Sequence, residues 1–86
     1  MQMNKNIMPY KNGVPHGYWE SYSDNGQLIY KATYKNGDLH GSAEFYYTRT
    51  GTLQSKGTFK DDSKFGFWEW YNENEAPVIT KFYANE

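Results

Sequence analysis

A ring followed by a turn recurs along this chain at a nearly constant interval. Tyr10, Tyr34, Phe59 and Tyr83 head the phrases YKNG, YKNG, FKDD and YANE, spaced 24, 25 and 24 residues apart. Seven residues after each of the first three rings stands a glycine (Gly17, Gly41, Gly66), and two positions further stand Trp19, Ala43 and Trp68. A second turn closes each unit in DNGQL, RTGTL and NENEA. A unit this short cannot bury a core alone and must stack on its neighbours. The 86 residues therefore read as one domain, 1–86, with repeats at about 10–33, 34–58 and 59–82 and a fourth copy, 83–86, cut off at its first turn.

The turns define the repeated element. Asn-Gly between runs of high β-propensity is the strongest short hairpin signal, because both central residues of a type I′ turn need positive φ. It occurs at Asn12-Gly13, Asn25-Gly26 and Asn36-Gly37, while Asp61-Asp62 and Asn74-Glu75 fill equivalent slots with weaker turn formers. The one-residue insertion lies in Thr48–Gly51, where a three-residue loop with Gly51 in the left-handed region absorbs it. The chain is thus expected to be all-β: a single-layer, twisted antiparallel meander of about seven strands built from tandem hairpins.

Two-residue turns then set the registers. Trp19 should face Ala32, Gly17 Tyr34 and Ser21 Tyr30 in the first hairpin. Tyr34 should face Leu39, Ala32 Gly41, Tyr30 Ala43 and Leu28 Phe45 in the next. Phe45 should face Ser55, Ala43 Gly57 and Gly41 Phe59, and after Asp61-Asp62, Gly57 should face Gly66, Ser55 Trp68 and Leu53 Trp70. These registers gather Met8, Tyr10, Trp19, Leu28, Tyr30, Tyr34, Leu39, Phe45, Leu53, Phe59, Trp68, Trp70 and Ile79 on one face, with rings over Gly, Ala or Ser. A slip of one residue would scatter them over both faces. The opposite face pairs Glu20 with Lys31 and Tyr18 with Thr33, and brings Glu44 near Lys56.

The stretch GYWESYSDNGQLIYKATYKNGDLHG resembles the MORN repeat, particularly a bacterial variant found in small antitoxin-like proteins, through Gly17, Trp19, Tyr22, Asn25-Gly26, Leu28, Tyr34, Asn36-Gly37 and Gly41. The resemblance extends over roughly residues 10–83; the second copy departs with Ala43 for the Trp and the third with Asp61-Asp62 for Asn-Gly. It implies an elongated single-layer meander that binds other proteins, with no catalysis by the repeat itself.

Composition excludes several function classes. Aromatics make up 20% of the chain, and the formal charge is −1 from nine basic and ten acidic residues. Such a balance creates no single-sign field to attract nucleic acid or an anionic membrane. With no cysteine there is no disulfide and no thiolate metal site. The start, MQMNKNIMPY, has no apolar run suited to a signal peptide, and no stretch is long enough to span a bilayer, so the expected location is the cytoplasm of a bacterial cell or phage-infected host. His16 and His40 occupy the same slot in successive repeats, about 10 Å apart across two strand spacings, too far for one ion. They read as polar residues beside turns. Asp61-Asp62, Glu69, Glu73 and Glu75 have no cleft to make them an acid–base pair, and no phosphate-binding glycine loop is present. No enzyme, cofactor or metal is expected.

A single sheet cannot cover both of its faces, and no amphipathic helix is available to cover one. It must coil on itself, dimerise or dock a partner, by a face or by strand addition at a terminal strand near Met8 or Tyr83. Tyr and Trp dominate interface energies. The expected function is a small protein-binding module, an antitoxin or immunity-type inhibitor that occludes a partner protein. The partner-facing residues are Tyr18, Tyr22, Phe65, Phe67, Trp70 and Tyr71, and Gly17, Trp19, Tyr34, Gly41, Phe59, Gly66 and Trp68 form the repeat framework. Two alternatives are a phage or mobile-element inhibitor of a host defence enzyme, and carbohydrate or lipid-headgroup binding through surface rings.

Overall fold

The computed structural model describes residues 9–84, so Met8 and the last two residues of the fourth copy lie outside the described residues. Every regular element in it is a strand: β1 Tyr10–Lys11, β2 Val14–Pro15, β3 Gly17–Tyr22, β4 Leu28–Lys35, β5 Asp38–Leu39, β6 Gly41–Tyr46, β7 Leu53–Lys60, β8 Ser63–Tyr71 and β9 Pro77–Tyr83. Strands β3-β4-β6-β7-β8-β9 lie side by side in chain order, with β5 also paired to β4; β1 and β2 form their own hairpin. The described chain measures 38 × 35 × 10 Å, one sheet thick. The expected antiparallel meander is therefore what forms.

Most registers match the turn arithmetic. Gly17↔Tyr34, Trp19↔Ala32 and Ser21↔Tyr30 pair as expected, as do Gly41↔Phe59, Ala43↔Gly57 and Phe45↔Ser55. The third unit repeats the first 49 positions on, with Gly66↔Tyr83 and Trp68↔Lys81; here Lys81 takes the place of a small residue opposite the indole.

Two inter-repeat registers differ. Beyond Tyr34↔Leu39 the ladder moves, so that Tyr30 pairs with Phe45 and Lys31 with Glu44, where Ala43 and Phe45 had been expected opposite Tyr30 and Leu28. Likewise Thr58↔Phe65 is followed by Lys56↔Glu69 and Ser55↔Trp70, replacing the expected Gly57–Gly66, Ser55–Trp68 and Leu53–Trp70 pairs. In each case two extra residues are inserted on the second strand, around Gly41 and Gly66. The cause is the repeated glycine itself: Gly17, Gly41 and Gly66 sit at φ of 109°, 117° and 73°, a region that side chains resist. The chain kinks there in bulge fashion. Because the skip is of two residues, side-chain alternation survives and the faces stay sorted.

The turns divide into two kinds. Asn12-Gly13, Asn36-Gly37 and Asp61-Asp62 all have paired positive φ, the type I′ signature, so the aspartates take the strained geometry although they form it less readily. Asn25 does not have positive φ. Instead Gly26 N donates to Ser23 O and Ser23 N to Gln27 O, a three-residue loop with Gly26 left-handed. The loop at 72–76 has the same hydrogen bonds, with Glu75 (φ 68°) in the glycine's place. The insertion makes a four-residue loop, Thr48–Gly51, closed by Gly51 N to Tyr47 O and Tyr47 N to Thr52 O, with Gly51 left-handed.

The core lies on the ring face. Ala32, Ala43, Ser55, Phe59, Trp19 and Trp68 are buried, Trp68 to 1% exposure. Tyr30 stacks on Phe45 at 5.7 Å, Phe45 reaches Trp68 at 6.3 Å, Phe59 meets Trp68 edge-on at 5.1 Å, and Trp70 and Tyr83 continue the row. Trp19 Nε1 donates to Tyr30 Oη and Trp68 Nε1 to the Thr58 carbonyl, at 3.0 and 2.9 Å. Along one end of the sheet successive turns are tied together: Gly37 N donates to Pro15 O, and one repeat later Asp62 N donates to Leu39 O. The first of these ties also holds the β1–β2 hairpin to the main sheet.

Candidate functional site

The face away from the core carries the features that the fold itself does not consume. In each repeat a glutamate stands two residues before a tyrosine, as Glu20/Tyr22, Glu44/Tyr46 and Glu69/Tyr71. Residues two apart on a strand share a face, and each tyrosine hydroxyl donates to its own glutamate carboxylate. Tyr18 adds a second donor to Glu20, at 2.7 Å.

The registers place these glutamates in a row with the lysines of the intervening strands. Glu20 pairs with Lys31, Lys31 with Glu44, Glu44 with Lys56 and Lys56 with Glu69, before Thr80 ends the row on β9. One charge per strand, alternating in sign, therefore crosses five strands. Lys31 Nζ lies 3.5 Å from Glu44 Oε1 and Lys56 Nζ 3.9 Å from Glu69 Oε1. The Tyr46 hydroxyl, joined by Lys31 and working against partial burial, holds the Glu44 carboxyl below the usual carboxylate range. The same contacts act in reverse on the phenols. Desolvation of its hydroxyl end and the bond to Glu20 push Tyr18 up to about 12 although the ring is mostly exposed, and burial plus Glu44 raise Tyr46.

The next row on this face is uneven. Tyr18 pairs with Thr33, Ser42 with Thr58, and Phe67 with Phe82. Rings at both ends and hydroxyl side chains between them leave an open groove of about 550 Å³, lined among others by Tyr18, Lys31, Ser42, Lys56, Thr58 and Phe67. Its rims are exposed, Tyr18 53% and Phe67 67%, and the Phe67 ring centroid lies 4.9 Å from that of Phe82, itself 59% exposed. Phe65 lies beside them under Lys60 Nζ at 5.4 Å.

A family model for the MORN repeat variant matches residues 15–36 and 39–61, just over half of the chain. The chain belongs to that family. The match ends at residue 61, and beyond it β8 and β9 reproduce the pairing of β3 and β4. No curated protein and no solved structure matches the chain. Of the MORN framework residues, Trp19, Trp68 and Phe59 are buried, Tyr34 packs against the cluster that holds Phe59 and Trp68, and Gly17, Gly41 and Gly66 have positive φ.

Of the six residues expected to face a partner, five share the charged face of the MORN sheet. Tyr18, Phe65 and Phe67 are exposed there, while Tyr22 and Tyr71 are half-buried against their glutamates. Trp70 is separate from them. It pairs with Ser55 and packs 6.0 Å from Trp68, on the ring face. Phe82 does not line the groove but packs on Phe67, which does; it was not named as a partner-facing residue, although its pairing with Phe67 follows from the repeat. The continuous charge row was also missed: two of its links, Lys31–Glu44 and Lys56–Glu69, depend on the two-residue skips. The 24- and 25-residue spacing of the Glu-x-Tyr pairs was the available signal. The histidines serve the turns, His16 Nδ1 accepting from Asn36 N at 3.4 Å and His40 Nδ1 lying 3.7 Å from Asp61 Oδ1. Among the described residues no group of three or more His, Cys, Asp or Glu could hold a metal ion, and no helix is long and apolar enough to cross a membrane.

Proposed function

We propose that this MORN module is non-catalytic and binds another protein through its charged, ring-rimmed face, acting in the cytoplasm as an inhibitor of the antitoxin or immunity type. The observation that supports this reading is the division of labour between the faces. The ring face is mostly used internally, with its indoles and phenols packed on alanine, glycine and serine and Ile79 exposed at its edge strand, whereas Tyr18, Phe65, Phe67 and Phe82 remain exposed on the other side. Exposed rings beside a fixed pattern of charge are the ingredients of a protein interface: the rings contribute affinity and the charges orientation. The setting of the face's carboxylates supports the non-catalytic part of this reading. They are engaged by tyrosines and lysines in an open, solvated groove, not held apart in a closed cleft.

The test is site-specific photo-crosslinking in the native host, with the crosslinking side chain at Phe67 or, as a control on the ring face, at Ile79. A discrete protein adduct from position 67 that is lost in a Tyr18→Ser/Phe82→Ser variant of unchanged circular dichroism supports the reading. Equal adducts from both faces, or none from position 67, refute it. The inhibitor role is tested by whether the captured protein loses its activity when the module is added.

A further inference from the structure

The charge row has a symmetry of its own. Its six positions, one on each strand from β3 to β9, read Glu20, Lys31, Glu44, Lys56, Glu69, Thr80. Reversed and laid against itself, the row sets Lys31 against Glu69, Glu44 against Lys56, and Glu20 against Thr80. No like charges meet. An alternating row over an even number of strands always has this property, and a row over an odd number does not. The operation that reverses it is a two-fold axis parallel to the strands, passing between β6 and β7 at the middle of the six-stranded sheet.

Resting on the reading that the charged face docks protein, we infer that a second copy of this chain occupies that face, in an isologous dimer about this axis. The neighbouring row agrees with the pairing. The axis brings Tyr18 opposite the partner's Phe82 and Phe67 opposite the partner's Thr33, so rings meet rings at the edges and a hydroxyl residue in the groove. Isologous two-fold contacts are the commonest way for a soluble chain to associate. The area suffices: six strands at about 4.8 Å by some six residues at about 3.3 Å give roughly 600 Å² per copy. Both copies together reach about 1,200 Å², the lower end for a specific interface. Sheets packed face to face cross at about 30°, which displaces the ends of the row most and the middle least. Glu44 and Lys56, on the strands either side of the axis, are therefore the pair that decides association.

The experiment is sedimentation velocity on the full chain at a series of protein and salt concentrations, followed by charge exchange. The 10.1 kDa chain is expected to sediment as a dimer of twice that mass at low salt and to dissociate as salt rises. Glu44→Lys sets Lys against Lys at both central contacts and Lys56→Glu sets Glu against Glu, so each variant alone should bind itself at least about tenfold more weakly. An equimolar mixture of the two variants restores opposite charges at both contacts and should form a heterodimer. That rescue separates the interface from any loss of folding, which circular dichroism checks independently. A wild-type chain that stays monomeric, or two variants that dimerise as well as the wild type, overturns the inference. A monomer that still crosslinks to another protein from Phe67 overturns the dimer and leaves the protein-binding reading standing; a dimer whose sole adduct from position 67 is a second copy of this chain does the reverse.

Discussion

Replacing Gly57 by alanine isolates the packing on which the ring face depends. A Cβ at this position would lie 2.2, 2.3 and 2.5 Å from Cδ2, Cε2 and Cγ of Trp68, far inside contact distance. Gly57 is not left-handed, so the alanine backbone is unstrained and alanine should gain about 0.5–1 kcal/mol over glycine within a strand. The measured change is then the cost of the clash less that gain. The indole has no room to retreat, being 1% exposed with Phe45, Phe59 and Trp70 around it. Partial accommodation by backbone shift costs about 1–3 kcal/mol. Expulsion of the ring forfeits roughly 150–250 Å² of burial, about 4–6 kcal/mol at ~25 cal/mol/Å². A net loss of about 3 kcal/mol is a large share of the roughly 5–15 kcal/mol that holds a domain together. Urea unfolding followed by tryptophan fluorescence should show the midpoint falling by about 1 M or more, with red-shifted emission. As a control, Gly13→Ala, whose Cβ meets nothing within 4 Å at φ 84°, should cost only about 1 kcal/mol of backbone strain. A Gly57→Ala chain as stable as the wild type would refute the nesting of Trp68 on this glycine.

Glu75 occupies a left-handed position at φ 68°, where the equivalent loop has Gly26; Glu75→Gly should stabilise the fold by about 1 kcal/mol, seen as a melting temperature several degrees higher. Lys64 Nζ lies 5.3 Å from the Trp68 ring, 5.9 Å from Tyr83 and 6.0 Å from Phe59, so Lys64→Met should cost about 0.5–2 kcal/mol in chemical denaturation. Tyr46→Phe removes the main contact depressing the Glu44 carboxyl, and carbon-detected NMR titration should show its midpoint rising. A depressed carboxylate stabilises the fold above its unfolded pKa, and that contribution is lost as pH falls through the folded value. The variant should therefore lose less stability than the wild type between neutral pH and about pH 3.

Much of the architecture was legible because three local signals agreed: the repeated ring, the Asn-Gly turns and the alternation of large and small side chains. Trp19 over Ala32 and Phe59 beside Gly41 followed from counting back from a turn. Counting failed wherever a glycine left the extended region. Gly41 and Gly66 read as small neighbours for rings, and nothing in their letters distinguishes that role from a kink that inserts two residues. The same blind spot hid the charge row, whose members were each visible but whose links Lys31–Glu44 and Lys56–Glu69 lie beyond those kinks. Asn25 misled in a different way, since an Asn-Gly pair also suits a type I turn with only the glycine left-handed. Trp70 had two readings, as ring-face residue and as partner contact. Its packing against Trp68 and Tyr83 places it with the core, a matter of which neighbours a long side chain finds and not of spacing.

The two-residue skips are what bring the charges of successive repeats into one row across the sheet, and a three-dimensional NOESY spectrum of the labelled chain tests them most directly. Cross-strand backbone contacts should join Lys31 to Glu44, Tyr30 to Phe45 and Lys56 to Glu69. Contacts joining Tyr30 to Ala43 and Ser55 to Trp68 instead would mean uninterrupted ladders, and the alternating row would not exist.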